Sequence, residues 1–143
     1  MNAARFTEGE LPAGPVAATV AFALSSDVDS PTSWGVLSAV SHVFPALVAG
    51  DRHVLGAPIP VPPVDLRLLG VVLEVGGEVV ATAAGAAGSG HPLAAIARLA
   101  EREPLRAGEI VVAEPLASVG DVRPGQVLVA TVGRVGSVEA VVG

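Results

Sequence analysis

The apolar positions of this chain fall in short runs, each closed by glycine, proline or a cluster of Asp and Ser. The clearest pair is Leu68–Val75 and Val79–Ala87, which flank Gly76-Gly77. Two residues between two β-prone runs make the shortest common hairpin connection, and Gly-Gly tolerates the positive φ of a primed turn. The second run ends among Gly85, Gly88 and Gly90, where a sheet stops or bends. His91-Pro92 then opens a helical pattern over Pro92–Arg102, with Leu93, Ile96, Ala97 and Ala100 inward.

Upstream, Pro15–Ser25 is an apolar run of strand length and Ser26–Pro31 is turn chemistry. Thr32–Val43 fits a second helix, capped by Thr32 or Ser33, with Val36, Leu37, Val40 and Val43 on one face and Pro45 ending it. Ala46–Ala49 and His53–Leu55 read as strand pieces around Gly50-Asp51-Arg52. Gly56–Asp65 carries four prolines and reads as an extended connector. Downstream, Glu109–Val112, Gln126–Val132 and Val135–Val142 read as strands, with turns at Val122–Gly125 and Gly133-Arg134. Met1–Gly14 reads as a flexible arm and residues 15–143 as a single domain. The sum is a mainly β fold, expected as a closed or rolled mixed β-barrel with two short helices, since closure hides strand edges.

Composition sharpens this picture. A chain of 143 residues suits one domain and buries roughly 70% of its unfolded surface. It is 51% apolar but 3% aromatic, so the core is Val, Ala and Leu, with Phe6, Phe22, Phe44 and Trp34 as the large anchors. The net charge of −6, without a basic cluster, argues against nucleic acid as a partner. The absence of cysteine rules out disulfides and thiolate chemistry. Met1–Pro15 has no signal-peptide apolar core, and Val16–Leu24 is too short to span a bilayer. The expectation is a cytoplasmic protein with no membrane partner.

The stretches LGVVLEVGGEVVATAAGAAGSGHPLAAIARLA (Leu69–Ala100), EPLRAGEIVV (Glu103–Val112) and VRPGQVLVATVGRVGSVEAVV (Val122–Val142) carry a resemblance. In order and spacing they are similar to the carboxyl-terminal half of the fumarylacetoacetate hydrolase superfamily. The nearer resemblance is to its 2-keto-4-pentenoate hydratase and 4-oxalocrotonate decarboxylase branch. Val20–Leu24 and Val43–Leu47 look like that family's first barrel strand and the strand after its helix. The resemblance implies a divalent metal held by a Glu-x-Glu pair and a third Glu. The matching positions here are Ala17, Thr19 and Val48, none a carboxylate. The family's amino-terminal helical region and the insertion expected between Asp51 and Leu55 are missing. Its T-G-[SA] element is replaced by Ala113-Glu114-Pro115. What remains resembles the barrel with no metal and no cofactor.

Candidate chemistry is sparse. Glu114 ends an apolar strand, where a carboxyl against apolar walls works as an acid or base; the plainer reading is a solvated strand end. Asp51, Arg52 and His53 are consecutive polar groups. In a strand Asp51 and His53 share a face while Arg52 points opposite, and the plainer reading is a polar turn. Trp34 offers an apolar ring with one donor and lines a pocket or packs a helix. His91 reads as part of a structural bend, and His42 as solvent-facing on its helix. Gly85, Gly88 and Gly90 fit neither phosphate-binding fingerprint.

Three functions are consistent with these residues. In the first, a hydratase-like barrel without its metal encloses an open apolar cavity and cyclises or rearranges a hydrophobic polyene or polyketide-like metabolite. Its catalytic residues are Glu114, Asp51 and His53, with Trp34, Thr19, Val48 and Arg52 contacting substrate. In the second, the chain hydrates or decarboxylates a 2-keto acid with a metal held by other groups, such as Asp27, Asp29, Glu74 or Glu114. In the third, it is a non-catalytic partner subunit or small-molecule binder. A homodimer fits all three.

Overall fold

The computed structural model describes residues 9–87 and 89–143. Eleven strands, two helices and one 3-10 turn (Leu66–Leu68) follow one another along these residues. The strands are β1 (Glu10–Leu11), β2 (Gly14–Leu24), β3 (Val40–Ala49), β4 (Arg52–Leu55), β5 (Ile59–Pro60), β6 (Gly70–Val75), β7 (Glu78–Ala84), β8 (Ile110–Val112), β9 (Ala117–Val122), β10 (Val127–Val132) and β11 (Gly136–Val142). Helix α1 (Ser33–Ala39) lies between β2 and β3, and α2 (Ala94–Ala100) between β7 and β8.

They form two sheets. Sheet A has the order β1-β11-β10-β6-β7. Sheet B has the order β4-β3-β2-β8, with β5 continuing the β4 edge along β3 and β9 continuing the β8 edge along β2. Among the described residues only the β1–β11 pairing is parallel. The mainly β class and the two short helices are as expected, but the barrel does not close. The sheets curl over each other as a half-barrel, and among the described residues no strand ladder joins them.

Strand β2 is the centre of sheet B because its sequence is apolar on both faces. Val16, Ala18, Val20, Phe22 and Leu24 turn toward sheet A and join one core with Leu47, Leu73, Leu128 and Val138. The alternate side chains Ala17, Thr19, Ala21 and Ala23 turn to the outer face. There Ala21 belongs to a second buried cluster with Phe44, Ala46 and Leu55. A strand buried on both sides shows no polar alternation, hence the continuous run in the sequence. The space between the sheets is filled by Phe22, Leu47, Leu73 and Leu128, all essentially inaccessible. Among the described residues, the side chains of β2 that face sheet A therefore meet a packed core, while Thr19 and Val48 lie on the opposite face of sheet B.

The hairpin reading holds in detail. Val75 pairs with Glu78 across Gly76 (φ 60) and Gly77 (φ 86), the positive-φ pair of a primed turn. Leu73 then pairs with Ala81 and Glu74 with Val79, leaving Val80 as a bulge. A second two-residue turn, Gly50-Asp51, joins β3 to β4.

Other expectations are corrected. Helix α1 is capped as read, the Thr32 hydroxyl accepting from Gly35 N–H at 2.9 Å, but it ends at Ala39. Val40 and Val43 instead enter β3 opposite Leu24 and Phe22, where β-branched side chains pack well. Pro45 lies inside β3 rather than ending a helix. Its carbonyl accepts from Gly56 N–H at 2.9 Å, so its missing N–H faces the same side. That side is the break between β4 and β5, where no ladder bond is lost. His42 accordingly sits on a strand, exposed, with Nδ1 2.9 Å from Ser41 Oγ. Strand β9 is unforeseen. The arm expected over Met1–Gly14 lies outside the described residues as far as Glu8, but β1 pairs with β11 and Leu11 is 1% exposed.

Candidate functional site

The outer face of sheet B brings together several of the residues singled out in the sequence. Ala17 pairs directly with Val48, and Val48 with His53. These three therefore form one row across β2, β3 and β4. Thr19, Ala46 and Leu55 form the next row of the same face. Directly opposed side chains have Cβ atoms about 5 Å apart and diagonal ones about 7–8 Å. The three positions that the family resemblance matched to metal ligands thus converge, offering a methyl, a hydroxyl and an isopropyl group. Thr19 and Ala46 are fully buried, while Val48 and His53 are half-buried.

Glu114 closes the face on its other side. Ala113 N–H donates to the Val20 carbonyl at 2.9 Å and Leu116 N–H to the Ala18 carbonyl at 3.2 Å. Between them Glu114-Pro115 steps out of the ladder, where proline has no N–H to contribute. The Thr19 hydroxyl fills the step by donating to the Glu114 carbonyl at 2.6 Å. The Glu114 carboxylate accepts from Ser89 N–H at 2.8 Å. Arg98 of α2 in turn donates to Ser89 Oγ at 2.8 Å. The carboxylate therefore ties sheet B to the loop between β7 and α2. Ser89 and Arg98 went unnoticed in the sequence because their link to Glu114 depends on tertiary contact.

The remaining candidates scatter. Asp51 is exposed in the Gly50-Asp51 turn, and Arg52 is exposed at the start of β4, alternating away from His53. Trp34 is 75% exposed and lines a separate cleft with Asp27, Asp29, Ser30 and Ser38. His53 lies three strand spacings from the β8–β9 step, roughly 14 Å of backbone at about 4.8 Å each. His53 and Glu114 thus flank the face rather than form a pair. Burial lowers the His53 pKa below its ordinary value, against the opposing pull of Asp51.

His91 behaves similarly. Burial lowers its pKa, Asp65 works against this, and Arg67 adds to it. Its Nδ1 accepts from Leu93 N–H at 3.0 Å, so that nitrogen carries no proton. As pH falls through the ordinary value of 6.5, the unfolded chain takes up the proton first. Stability is then full above that pH and declines as pH drops toward the lower folded-state value. The urea midpoint is expected to fall between pH 7.5 and pH 5.5, and to fall less in His91→Asn. The neighbouring Asp65 is held down to about 2, chiefly by the Arg67 side chain that pairs with it at 2.6 Å.

The structure is a curled two-sheet β core with a small-residue face flanked by one carboxylate and one imidazole. The comparisons find that the chain resembles proteins named as a hydratase and a decarboxylase, and that it shares its fold with structures of the fumarylacetoacetate hydrolase superfamily. No protein-family model matches it. It is 38% identical over 152 residues to the 2-keto-4-pentenoate hydratase of Paraburkholderia xenovorans (strain LB400), covering 86% of this chain and 56% of that protein. It is 44% identical over 82 residues to the 4-oxalocrotonate decarboxylase of Pseudomonas putida, covering 54% and 31%. The chain thus spans about half the length of the curated hydratase it matches. The structure of 4-oxalocrotonate decarboxylase from Pseudomonas putida G7, complexed with calcium and acetate, superposes with a TM-score of 0.82 and 26% identity, over 94% of this chain and 66% of that one. A fumarylacetoacetate isomerase/hydrolase homologue from Oleispira antarctica shares the fold, with a TM-score of 0.78 and 16% identity. The named relatives are enzymes. Among the described residues no helix is long and apolar enough to cross a membrane.

The decarboxylase structure contains calcium, so the fit of such an ion to this chain can be tested on its donors. Calcium takes about 6–8 oxygen ligands, and magnesium is bound through one or two carboxylates with water. The face supplies two neutral oxygens, the Thr19 hydroxyl and the Glu114 carbonyl, bonded to each other, and at its margin a single carboxylate, that of Glu114, already accepting from Ser89 N–H. Among the described residues no three His, Cys, Asp or Glu side chains gather in a metal-binding group. The residues present do not fit the ion.

Proposed function

We propose that the outer face of sheet B holds a small, largely uncharged unsaturated molecule, and that Glu114 transfers a proton in adding water across, or removing it from, its double bond. This is the hydratase kind of lyase chemistry. The supporting observation is the register that sets Ala17, Thr19, Ala46 and Val48 side by side, next to the step bearing Glu114. An apolar floor with few polar groups selects apolar ligands, and the net charge of −6 disfavours anionic ones. In the addition direction Glu114 accepts a proton from the attacking water and returns one to the adjacent carbon, so none is consumed overall. The Ser89 N–H holds the carboxylate in one orientation.

The test follows the loss of conjugation by ultraviolet absorbance when the purified chain meets 2-keto-4-pentenoate or a neutral conjugated enone of equal length. The enone is expected to be consumed faster, and Glu114→Gln to abolish turnover while the chain stays folded. Failure to bind or consume either compound would overturn the reading.

A further inference from the structure

We infer that the outer face of sheet B works without a divalent cation, a direct hydrogen bond between β2 and the β8–β9 step standing where an ion would otherwise join them. This rests on the reading of that face as the functional site and adds the physical basis of its substrate class.

The geometry is that of a converging site whose charges have been removed. Ala17 and Val48 oppose each other directly, and Thr19 lies diagonal to Val48 on the same face. Carboxylates at these three positions would crowd within about 5–8 Å and repel one another unless a cation lay between them. Methyl and isopropyl groups remove that repulsion, so the sheet assembles with no ion to neutralise it. The Thr19 hydroxyl binds protein instead, reaching the Glu114 carbonyl at 2.6 Å across a step that has no ladder bond of its own. Its O–H donor is used inside the fold, and full burial shields the hydroxyl oxygen from solvent. The Glu114 carboxylate, the only acidic group at the step, is engaged by Ser89 N–H.

Two consequences follow. Cation binding to the native state is absent, so the linkage term that raises the stability of a metalloprotein with cation concentration is zero here. A 2-keto acid, whose carboxylate and carbonyl need a positive charge to hold them, finds none on this face. The substrate class is thereby narrowed to molecules anchored by apolar contact.

Calorimetry and thermal melting of the full chain with magnesium, manganese or calcium chloride, each against EDTA, test the inference. No saturable heat and an unchanged Tm are expected. Saturable one-to-one binding in the submillimolar range, lost in Thr19→Val, would overturn it. The variant Ala17→Glu/Thr19→Glu/Val48→Glu is expected to acquire a Tm that rises with calcium. If it does not fold, Ala17→Glu/Val48→Glu keeps the Thr19 bond and is expected to show the same trend more weakly. A folded carboxylate variant indifferent to calcium would show that these positions are not where an ion would sit, and the inference falls. The enone assay in EDTA separates the two ideas. Turnover that requires added cation sinks this inference and spares the proposed chemistry, whereas no turnover together with no cation binding does the reverse.

Discussion

Phe22→Ala is expected to lower unfolding stability by about 3–5 kcal/mol, the cost of emptying a buried aromatic site. The whole stability of a domain is about 5–15 kcal/mol, so the variant sits at the edge of folding. Two features put Phe22 at the top of the scale. It is 0% exposed on the central strand of sheet B, between Val43 and Val111 on the neighbouring strands. The chain has three phenylalanines and one tryptophan. Of these, Phe44 packs in the outer cluster and Trp34 is exposed, so Phe22 is the only aromatic ring in the core between the sheets among the described residues. A urea titration followed by circular dichroism measures the loss. Phe22→Leu is expected to lose about 1 kcal/mol, since volume is better kept, and Trp34→Ala less than about 0.5. Equal midpoints for Phe22→Ala and wild type would mean that the two sheets do not share this core.

Gly85→Ala is the second large effect. A Cβ on Gly85 would lie 1.9 Å from the Leu66 carbonyl oxygen and 3.1 Å from Pro92 Cγ. No rotamer relieves this, because the first obstacle is backbone. Gly85 N–H donates to the Leu69 carbonyl at 2.8 Å and Ala86 N–H to the Arg67 carbonyl at 2.9 Å, pinning the loop beneath the Leu66–Leu68 turn. Overpacking of about 1–3 kcal/mol and two weakened hydrogen bonds of about 1 kcal/mol each set an expected loss near 3 kcal/mol. The same loop delivers Ser89 to Glu114, so any turnover by Glu114 is expected to fall with it. Gly120→Ala is the control. Nothing lies within 4 Å of its Cβ position, and a shift within about 0.5 kcal/mol is expected. If both variants melt alike, the packing of Gly85 against the Leu66–Leu68 turn is not rigid.

Local rules were enough where chemistry and structure lie close together in the chain. Gly76-Gly77 specifies its turn because two adjacent positive-φ residues leave few alternatives. Thr32 caps α1 through an amide three residues away. The paired apolar runs and frequent Gly and Pro breaks identified a mainly β chain. The motifs from Leu69 to Val142 pointed to the hydratase and decarboxylase relatives that the comparisons find. Each of these depends on neighbours in sequence.

The errors share the opposite cause. Val40 and Val43 satisfy helical spacing as well as strand pairing, and the ladder with β2 chose the strand. Strand β9 holds Gly120 and Asp121, weak strand formers, and exists because the amino-terminal half of β2 needs a partner. Pro45 reads as a breaker until the gap between β4 and β5 shows where its missing N–H goes. The barrel, expected as closed or rolled, is a curled half-barrel, because among the described residues no strand pairs into both sheets. Thr19 and Val48 were singled out from a family pattern and His53 from a run of polar residues, yet only the register puts them on one face of sheet B. Ser89 and Arg98 entered the site through contacts across 25 and 9 residues of chain. The sequence by itself determined the turns, the mainly β class and the likeness to the named relatives, because hydrogen bonding and φ preferences act over a few residues. Which face each side chain occupies, and which distant groups meet at Glu114, was decided by strand pairing, because a ladder joins residues without regard to their separation along the chain.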